Sequence, residues 1–189
     1  GAWGTALATV AARNGHHVAL WDPAPEISTM VNREHRHPFA LQDVALDPII
    51  VGKDDPEEVA KAALLLVAVP AQSMRPALNA LSQHIKPRTT LVICAKGIEI
   101  KTGALMSEVA AACTPQAAVA VLSGPTFASE VAQGRPTAVT LAADDQTAGK
   151  KIIRALGDPN FRPYLSDDIV GTQVGGAVKN VLAIACGIA

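Results

Sequence analysis

A single lysine stands in the apolar stretch that closes this sequence. From residue 169 to 189 the one side chain with a formal charge is Lys179, and most of its neighbours are small or apolar. In a helix, Gly175 and Gly176 would share a face with Lys179, where glycines allow a ligand or a neighbouring backbone to approach closely. An ammonium group in apolar surroundings is costly to keep charged and gives up its proton readily, so Lys179 is a candidate for proton transfer.

Two other interpretations of this stretch have to be weighed. A partly buried helix whose lysine extends its amine to water would give the same pattern, and the pattern alone supports this equally well. A transmembrane span is disfavoured, because Gln173, Lys179 and Asn180 would lie near its middle.

A second candidate lysine follows an apolar run. The sequence Thr89-Thr-Leu-Val-Ile-Cys-Ala-Lys-Gly97 predicts a buried strand that ends in Lys96 and a glycine. In open α/β sheets ligands bind at the carboxyl ends of strands, which makes Lys96 a candidate for chemistry. It could equally begin an ordinary surface loop.

The segment Ser123-Gly-Pro-Thr-Phe-Ala128 follows another apolar strand pattern, Ala117 to Leu122. Its hydroxyl groups, glycine and proline suit a rigid loop that holds a ligand with backbone and side-chain donors. It could also be a strand-to-helix turn with Thr126 as the N-cap, and both interpretations can hold together.

The sequence opens with a possible phosphate-binding turn. Gly1 and Gly4 are spaced like the last two glycines of a G-x-G-x-x-G motif that runs into a helix from Thr5 to Asn14. The apolar strand that follows ends in Asp22, the position at which an acid commonly binds the adenosine ribose. Because Pro23 comes next, Asp22 could instead be a turn residue.

A cluster of basic residues follows between positions 26 and 37. It contains Arg33, His35, Arg36 and His37. This is most often a solvated face, but it could receive the 2′-phosphate of NADP, which would weaken the argument from Asp22. His35 and His37 make a poor metal site without a third ligand nearby, and we expect no metal.

Apolar strands alternate with helical patterns along the whole chain. The run Leu64 to Pro70 suits a central strand buried on both faces, and Pro70 lies at its ligand-binding end. Helix caps are predicted at Asp55, Thr102 and Asp167, and a further helix from Asp145 to Leu156. The last strand, Phe161 to Leu165, contains a proline and is expected at an edge. This alternation predicts an α/β fold with a doubly wound, mostly parallel sheet of the Rossmann type.

Composition bounds the remaining possibilities. Hydrophobic residues make up 49% of the 189 residues, charged residues 17%, and the net charge is -1, which favours neither a nucleic-acid partner nor insertion into a membrane. Three scattered cysteines favour a reducing compartment, the cytoplasm. The sequence starts without Met or an opening strand and stops inside a helical pattern, so we expect a fragment cut at both ends.

Four motifs in order resemble one enzyme family. They are Gly-Ala-Trp-Gly-Thr-Ala-Leu-Ala, Ala95-Lys-Gly-Ile-Glu99, Ser123-Gly-Pro-Thr-Phe-Ala128 and Gly175-Gly-Ala-Val-Lys-Asn-Val181. Together they resemble the NAD(P)-dependent sn-glycerol-3-phosphate dehydrogenases of the bacterial type. The resemblance implies interconversion of dihydroxyacetone phosphate and glycerol 3-phosphate for phospholipid synthesis, and a homodimer. It also implies an NAD(P)-binding Rossmann domain at residues 1–166, without its first strand, and the first helix of a helical substrate domain at 167–189.

The resemblance also implies roles for individual residues. Lys179 would be the general acid or base, and Lys96 would contact substrate and cofactor and polarise the substrate carbonyl. Substrate-contacting positions would further include Gly124, Thr126 and, in support, Asn180. Cofactor-contacting positions would be Gly1, Ala2, Trp3, Gly4, Asp22, Pro70, Lys96 and Ala128.

Departures from the family pattern leave alternatives open. Asp22-Pro23 stands where bacterial members often have a basic residue, which favours NAD slightly over NADP, and Ala71 stands where serine is frequent. The alternatives are a 3-hydroxyacid or 6-phosphogluconate type of dehydrogenase, which usually has Asn four residues after the lysine, and a non-enzymatic dinucleotide-binding module. We expect this fragment by itself to show no useful turnover, because catalysis needs a closed two-domain site.

Overall fold

Strands and helices alternate in the computed structural model, which describes residues 1–87 and 89–188. The strands are β1 (Val18–Trp21), β2 (Ile50–Lys53), β3 (Leu64–Val67), β4 (Thr90–Ile93), β5 (Ala118–Ser123), β6 (Thr137–Ala143) and β7 (Phe161–Ser166). The helices are α1 (Ala2–Arg13), α2 (Pro25–Glu34), α3 (Pro56–Ala60), α4 (Ala71–Leu81), α5 (Met106–Cys113), α6 (Ala128–Ala132), α7 (Gln146–Leu156) and α8 (Ile169–Ile188).

The strands form two sheets. Strands β1 and β2 pair in parallel, and the second sheet has the order β3-β4-β5-β6-β7. Strands β3, β4 and β5 are parallel, β6 is antiparallel to β5, and β7 is parallel to β6. The connection between β5 and the antiparallel β6 contains only the short helix α6.

Helices cover both faces of the larger sheet. Val92 and Leu122 face a core that contains Leu7 of α1 and Phe161 of β7. The neighbouring residues on the same strands, Leu91, Ile93 and Val121, face a second core with side chains from α4 and α5. Because side chains alternate along a strand, an apolar run such as Leu91 to Cys94 can fill both cores. The expected doubly wound, mostly parallel architecture is confirmed.

The helix ends predicted at Asp55 and Gly15 agree with the structure, and Asp145 is a further N-cap. The carboxylate of Asp55 accepts a hydrogen bond from the amide of Glu57, and that of Asp145 accepts from Thr147 and Ala148. Gly15 ends α1 with a φ of 79°, a conformation that glycine adopts without strain. The proline-containing strand β7 pairs only with β6 among the described strands and is an edge, as expected.

Three predicted caps were wrong. Thr102 does not cap α5, which starts at Met106. The Thr102 hydroxyl donates to Glu99 instead, and Gly103 follows with a φ of 73°. The cap of α8 is Asp168 rather than Asp167, since the Asp168 carboxylate accepts from the amide of Gly171. Helix α6 begins one residue later than Thr126 would place it, with Phe127 at the N-cap.

Candidate active site

The predicted site residues converge on one edge of the larger sheet. Strands β3, β4 and β5 are parallel, so their carboxyl ends lie side by side, and Pro70, Lys96 and Gly124 follow those ends. The first turn of α1 lies at the same edge, since a Cβ added at Gly4 would be 3.5 Å from the Cβ of Ala68. The sheet therefore brings together groups that are far apart in sequence.

Lys96 is held between two of these segments. Its Nζ donates to the carbonyl of Gly124 at 2.9 Å and lies 5.8 Å from the centroid of the Trp3 ring. Although Lys96 is exposed as a whole residue, partial burial of its amine lowers the pKa of Lys96, and the positive charge of Lys179 lowers it further. Lys96 is thus linked electrostatically to the other candidate lysine.

Helix α8 brings Lys179 to the same edge by packing closely on β5. A Cβ added at Gly176 would lie 2.5 Å from the Ser123 hydroxyl and 3.8 Å from Cγ of Lys96, so only glycine allows this approach without a shift. The half-buried Lys179 lies one turn further along, with its Nζ 5.7 Å from the centroid of the Phe127 ring. The expectation that Gly176 and Lys179 share a functional face agrees with this geometry.

Gln173 fixes the rotation of α8. This side chain is 5% exposed, and its Oε1 accepts from the amide of Ser107 at 2.8 Å while its Nε2 donates to the Ser107 hydroxyl at 2.8 Å. Sequence reasoning missed this role, although an amide in so apolar a helix was the available signal. The side chain of Asn180, expected to support Lys179, lies outside the described part of the structure, as does Ala189.

The segment after β5 contains a buried hydroxyl group that no described residue satisfies. Gly124 has no room for a Cβ, which would lie 3.0 to 3.2 Å from atoms of Val139 and Ala138. The buried hydroxyl of Thr126 has no hydrogen-bond partner among the described residues. Ala128 begins α6 directly after the exposed ring of Phe127. A buried polar group without a partner is costly, so Thr126 is suited to bind a ligand.

The turn at Gly1 to Gly4 leads into the N-terminus of α1. Gly1 is the N-cap and no side chain caps the helix, so amides of Ala2, Trp3 and Gly4 are available to an anion. The indole Nε1 of Trp3 is buried and makes no hydrogen bond to the described residues. The Asp22 carboxylate lies beside this turn, 2.7 Å from the backbone nitrogen of Gly1, and it accepts from the amide of Ala24 at 3.2 Å. These groups fit the pyrophosphate and ribose of a dinucleotide.

A cleft of about 390 Å³ lies between α8 and the strand ends. Its walls are formed by Ser123, Gly124, Pro125, Thr140, Asp168, Gly171, Thr172, Gly175, Gly176 and Lys179. Lys96 and Thr126 are not among the residues that line it, although Gly176, which lies next to Lys96, is. Lys179 is thus the predicted catalytic side chain that borders this cleft.

Side chains of the basic cluster bind groups that are close to them in sequence, within residues 33–42. Arg33 pairs with Glu34, and Arg36 donates to the carbonyl of Gln42 at 2.7 Å. Nδ1 of the buried His37 accepts from the amides of Phe39 and Ala40, and burial lowers the pKa of His37. Within residues 1–87 and 89–188, no three His, Cys, Asp or Glu side chains are grouped as metal ligands would be.

Helix α8 is the apolar helix considered above as a membrane span. Among the described residues no single helix is long and apolar enough to cross a membrane. Its two parts, Ile169–Lys179 and Val181–Ile188, meet at 45° and would together meet the requirements of length and composition.

Comparison with known proteins gives one consistent result. A family model described as NAD-dependent glycerol-3-phosphate dehydrogenase N-terminus matches residues 1–149. The chain is 52% identical to a glycerol-3-phosphate dehydrogenase [NAD(P)+] from Paramagnetospirillum magneticum and 52% identical to one from Rhodospirillum rubrum. All of this chain is covered in both cases, but it spans only 68% and 54% of those relatives.

Solved structures agree with the sequence relatives. A crystal structure of glycerol-3-phosphate dehydrogenase from Coxiella burnetii has a TM-score of 0.92 and 33% identity, covering 100% of this chain and 58% of that one. A glycerol-3-phosphate dehydrogenase structure from Plasmodium falciparum has the same fold, with a TM-score of 0.92 at 24% identity over 99% of this chain and 56% of that one. The resemblance inferred from the four motifs is therefore confirmed, and the chain belongs to the family of NAD-dependent glycerol-3-phosphate dehydrogenase N-termini.

Proposed function

We propose that the complete protein interconverts dihydroxyacetone phosphate and sn-glycerol 3-phosphate with NAD(H) or NADP(H), and so supplies a precursor of glycerophospholipids. The observation that carries the proposal is the meeting of Lys96 and Lys179 at the sheet edge that also holds the glycine turn. Two ammonium groups at one edge suit a phosphorylated, anionic substrate. The names of the relatives support the same reaction.

The proposed roles follow from where the side chains lie. When bound, the nicotinamide coenzyme supplies or accepts the hydride at the substrate C2 carbon. Lys179 donates a proton to the C2 oxygen as negative charge develops there, and takes it back in the reverse direction. Lys96 polarises the C2 carbonyl, and the hydroxyl of Thr126 and the backbone at Gly124 contact the substrate.

The coenzyme is proposed to lie across the amino end of α1. Gly1, Ala2, Trp3 and Gly4 would surround the pyrophosphate, Asp22 the adenosine ribose, and Pro70 and Ala128 would border the coenzyme from neighbouring segments. Because Arg33 pairs with Glu34 in α2 and Arg36 binds the carbonyl of Gln42, we propose a preference for NAD over NADP.

The domain division and the assembly are also proposals. Residues 1–166 would form the coenzyme domain, and 167–189 would begin the helical substrate domain, as the exposed Val181, Leu182 and Ile184 of α8 suggest. A strand that precedes Gly1 in the complete protein would fit between β1 and β3, since these two do not pair with each other in the described structure. The family resemblance and the free cysteines support a cytoplasmic homodimer.

The decisive experiment compares Lys179→Ala with wild type in the complete protein. Oxidation of NADH and of NADPH is followed with dihydroxyacetone phosphate, and coenzyme binding is measured by fluorescence. We expect kcat to fall by about 100-fold or more while the coenzyme Kd stays the same, because general acid catalysis contributes on this scale. Lys150→Ala, at an exposed lysine of α7, is the matched control and should leave kcat unchanged. Coenzyme binding without turnover of this substrate by wild type would reject the reaction.

A further inference from the structure

Arg75 and Glu99 form an ion pair, and Glu99 belongs to the loop that bears Lys96. Neither residue has a part in the catalytic roles proposed above. Arg75 of α4 donates to Glu99 through Nε at 2.7 Å and Nη2 at 2.8 Å, one bond to each carboxylate oxygen. The Thr102 hydroxyl donates to the same carboxylate at 2.5 Å. Glu99 is 7% exposed, so this two-bond contact is made largely away from water.

Further contacts fasten the same loop to the start of α4. The side chain of Gln72 donates to the carbonyl of Ile98 at 2.9 Å and accepts from the amide of Ile100 at 3.0 Å. At Gly97, with a φ of 144°, an added Cβ would lie 2.8 Å from the Cβ of Ala71. Every residue from Gly97 to Ile100 is therefore in contact with α4 or with a group that α4 holds.

The pair is suited to position the loop rather than to take part in chemistry. Neither Arg75 nor Glu99 lines the cleft beside Lys179. Removing Arg75 would leave the carboxylate of the buried Glu99 without its ion partner, which disfavours separating the two side chains. The pair consequently holds the loop in one arrangement, and Lys96 lies three residues before Glu99.

We propose that Arg75 and Glu99 are positioning residues for Lys96, which hold its amine at the carbonyl of Gly124 and over the ring of Trp3. The consequence for catalysis rests on the function proposed above. The consequence for the Lys96 amine does not, because it concerns the protein without coenzyme or substrate.

The first test follows the amine directly in the complete protein. The pH dependence of acetylation is measured for Lys96 by mass spectrometry in wild type and Glu99→Gln. When the loop loosens, the amine returns to water and its pKa rises, so its acetylation rate near pH 8 should fall by about threefold or more. Loss of the carboxylate charge alone would act in the opposite direction. Glu58→Gln, which breaks an exposed pair with Lys53, is the control. A faster or unchanged Lys96 reaction in Glu99→Gln would overturn the inference.

The second test is kinetic and uses dihydroxyacetone phosphate with the preferred coenzyme. We expect kcat of Glu99→Gln to fall by about tenfold or more with the coenzyme Kd nearly unchanged, since small misplacements of a reacting group are costly. Arg75→Gln combined with Glu99→Gln should be no worse than either alone, because the two act as one unit. A lowered Tm with unchanged kcat would show a merely structural pair and contradict the proposal.

Two milder variants guard against misfolding. Thr102→Ala removes the hydroxyl that binds Glu99 and the amide of Ala104, and Gln72→Ala removes the two bonds to Ile98 and Ile100. Neither variant leaves a charge unpaired. If Glu99→Gln does not fold, these variants decide the question through the same acetylation and kcat measurements, with smaller changes in the same direction expected. If wild type has no turnover with this substrate, the proposed function fails, and the acetylation measurement still decides the positioning role.

Discussion

At the scale of single residues, the site combines close packing with polar groups that are not fully satisfied. Partial burial of the amine and, second, the nearby charge of Lys179 lower the pKa of Lys96. Trp3 and Thr126 each bury a polar atom that finds no partner in the described chain. Such groups are costly in a folded protein. A ligand bound at this sheet edge would lower that cost if it supplied negative charge and hydrogen-bonding groups.

The acid stability of the protein should depend on Glu99. Hydrogen bonds from Arg75 and Thr102 lower the pKa of Glu99 to about 2 from its ordinary 4.5. A lowered pKa means that the stabilisation is fully present above the unfolded value and is lost as pH falls through the folded value. The stability difference between wild type and Glu99→Gln should therefore be largest above about pH 5 and shrink toward about pH 2. Urea unfolding over this pH range measures it, and a difference that stays constant would contradict the prediction.

At the scale of secondary-structure elements, two adjacent glycines of α8 have different surroundings. A Cβ at Gly175 would meet nothing within 4 Å, whereas one at Gly176 would lie 2.5 Å from the Ser123 hydroxyl. Replacing either glycine with alanine gives the same gain in helix propensity. A difference in stability between the two variants therefore measures the effect of packing.

We expect Gly175→Ala to raise the free energy of unfolding by about 0.5 to 1 kcal/mol. Gly176→Ala should lose that gain, because Ser123 or α8 has to shift to admit the methyl group. Thermal and denaturant unfolding of the two variants provides the comparison. Equal stabilisation by both would mean that α8 does not approach β5 as closely as described.

At the scale of the whole molecule, the two sheets differ in how well they are supported. Strand β4 is paired on both sides, and Leu91, Val92 and Ile93 are fully buried. Strand β2 pairs only with β1 among the described strands, and Val51 is 42% exposed. The core beneath β2 is the smallest of the three described clusters.

Hydrogen exchange should reflect this difference. Amides of Ile50–Lys53 are expected to exchange roughly tenfold faster or more than those of Thr90–Ile93, because edge strands over small cores open at lower free energy. Mass spectrometry of peptides from native protein provides the measurement. Equal protection of the two strands would indicate that the sheets open as one cooperative unit.

The strands, some helix ends and the order of the elements could be predicted from local patterns in the sequence. Apolar runs predicted the strands, Asp55 before Pro56 predicted the cap of α3, and Gly15 predicted the end of α1. The order of strands and helices then implied that Pro70, Lys96 and Gly124 would follow adjacent strand ends, because parallel strands leave their carboxyl ends at one edge.

Contacts between residues distant in sequence could not be inferred from local patterns. The antiparallel course of β6, the pairing of Arg75 with Glu99 and the bond from Lys96 to Gly124 join residues whose patterns do not refer to each other. The wrong cap at Thr102 follows indirectly, since its hydroxyl binds the nearby Glu99, whose carboxylate the distant Arg75 holds, instead of an amide of the helix. Local propensity fixes which elements form, whereas the pairing of polar groups depends on which surfaces the packed cores bring together.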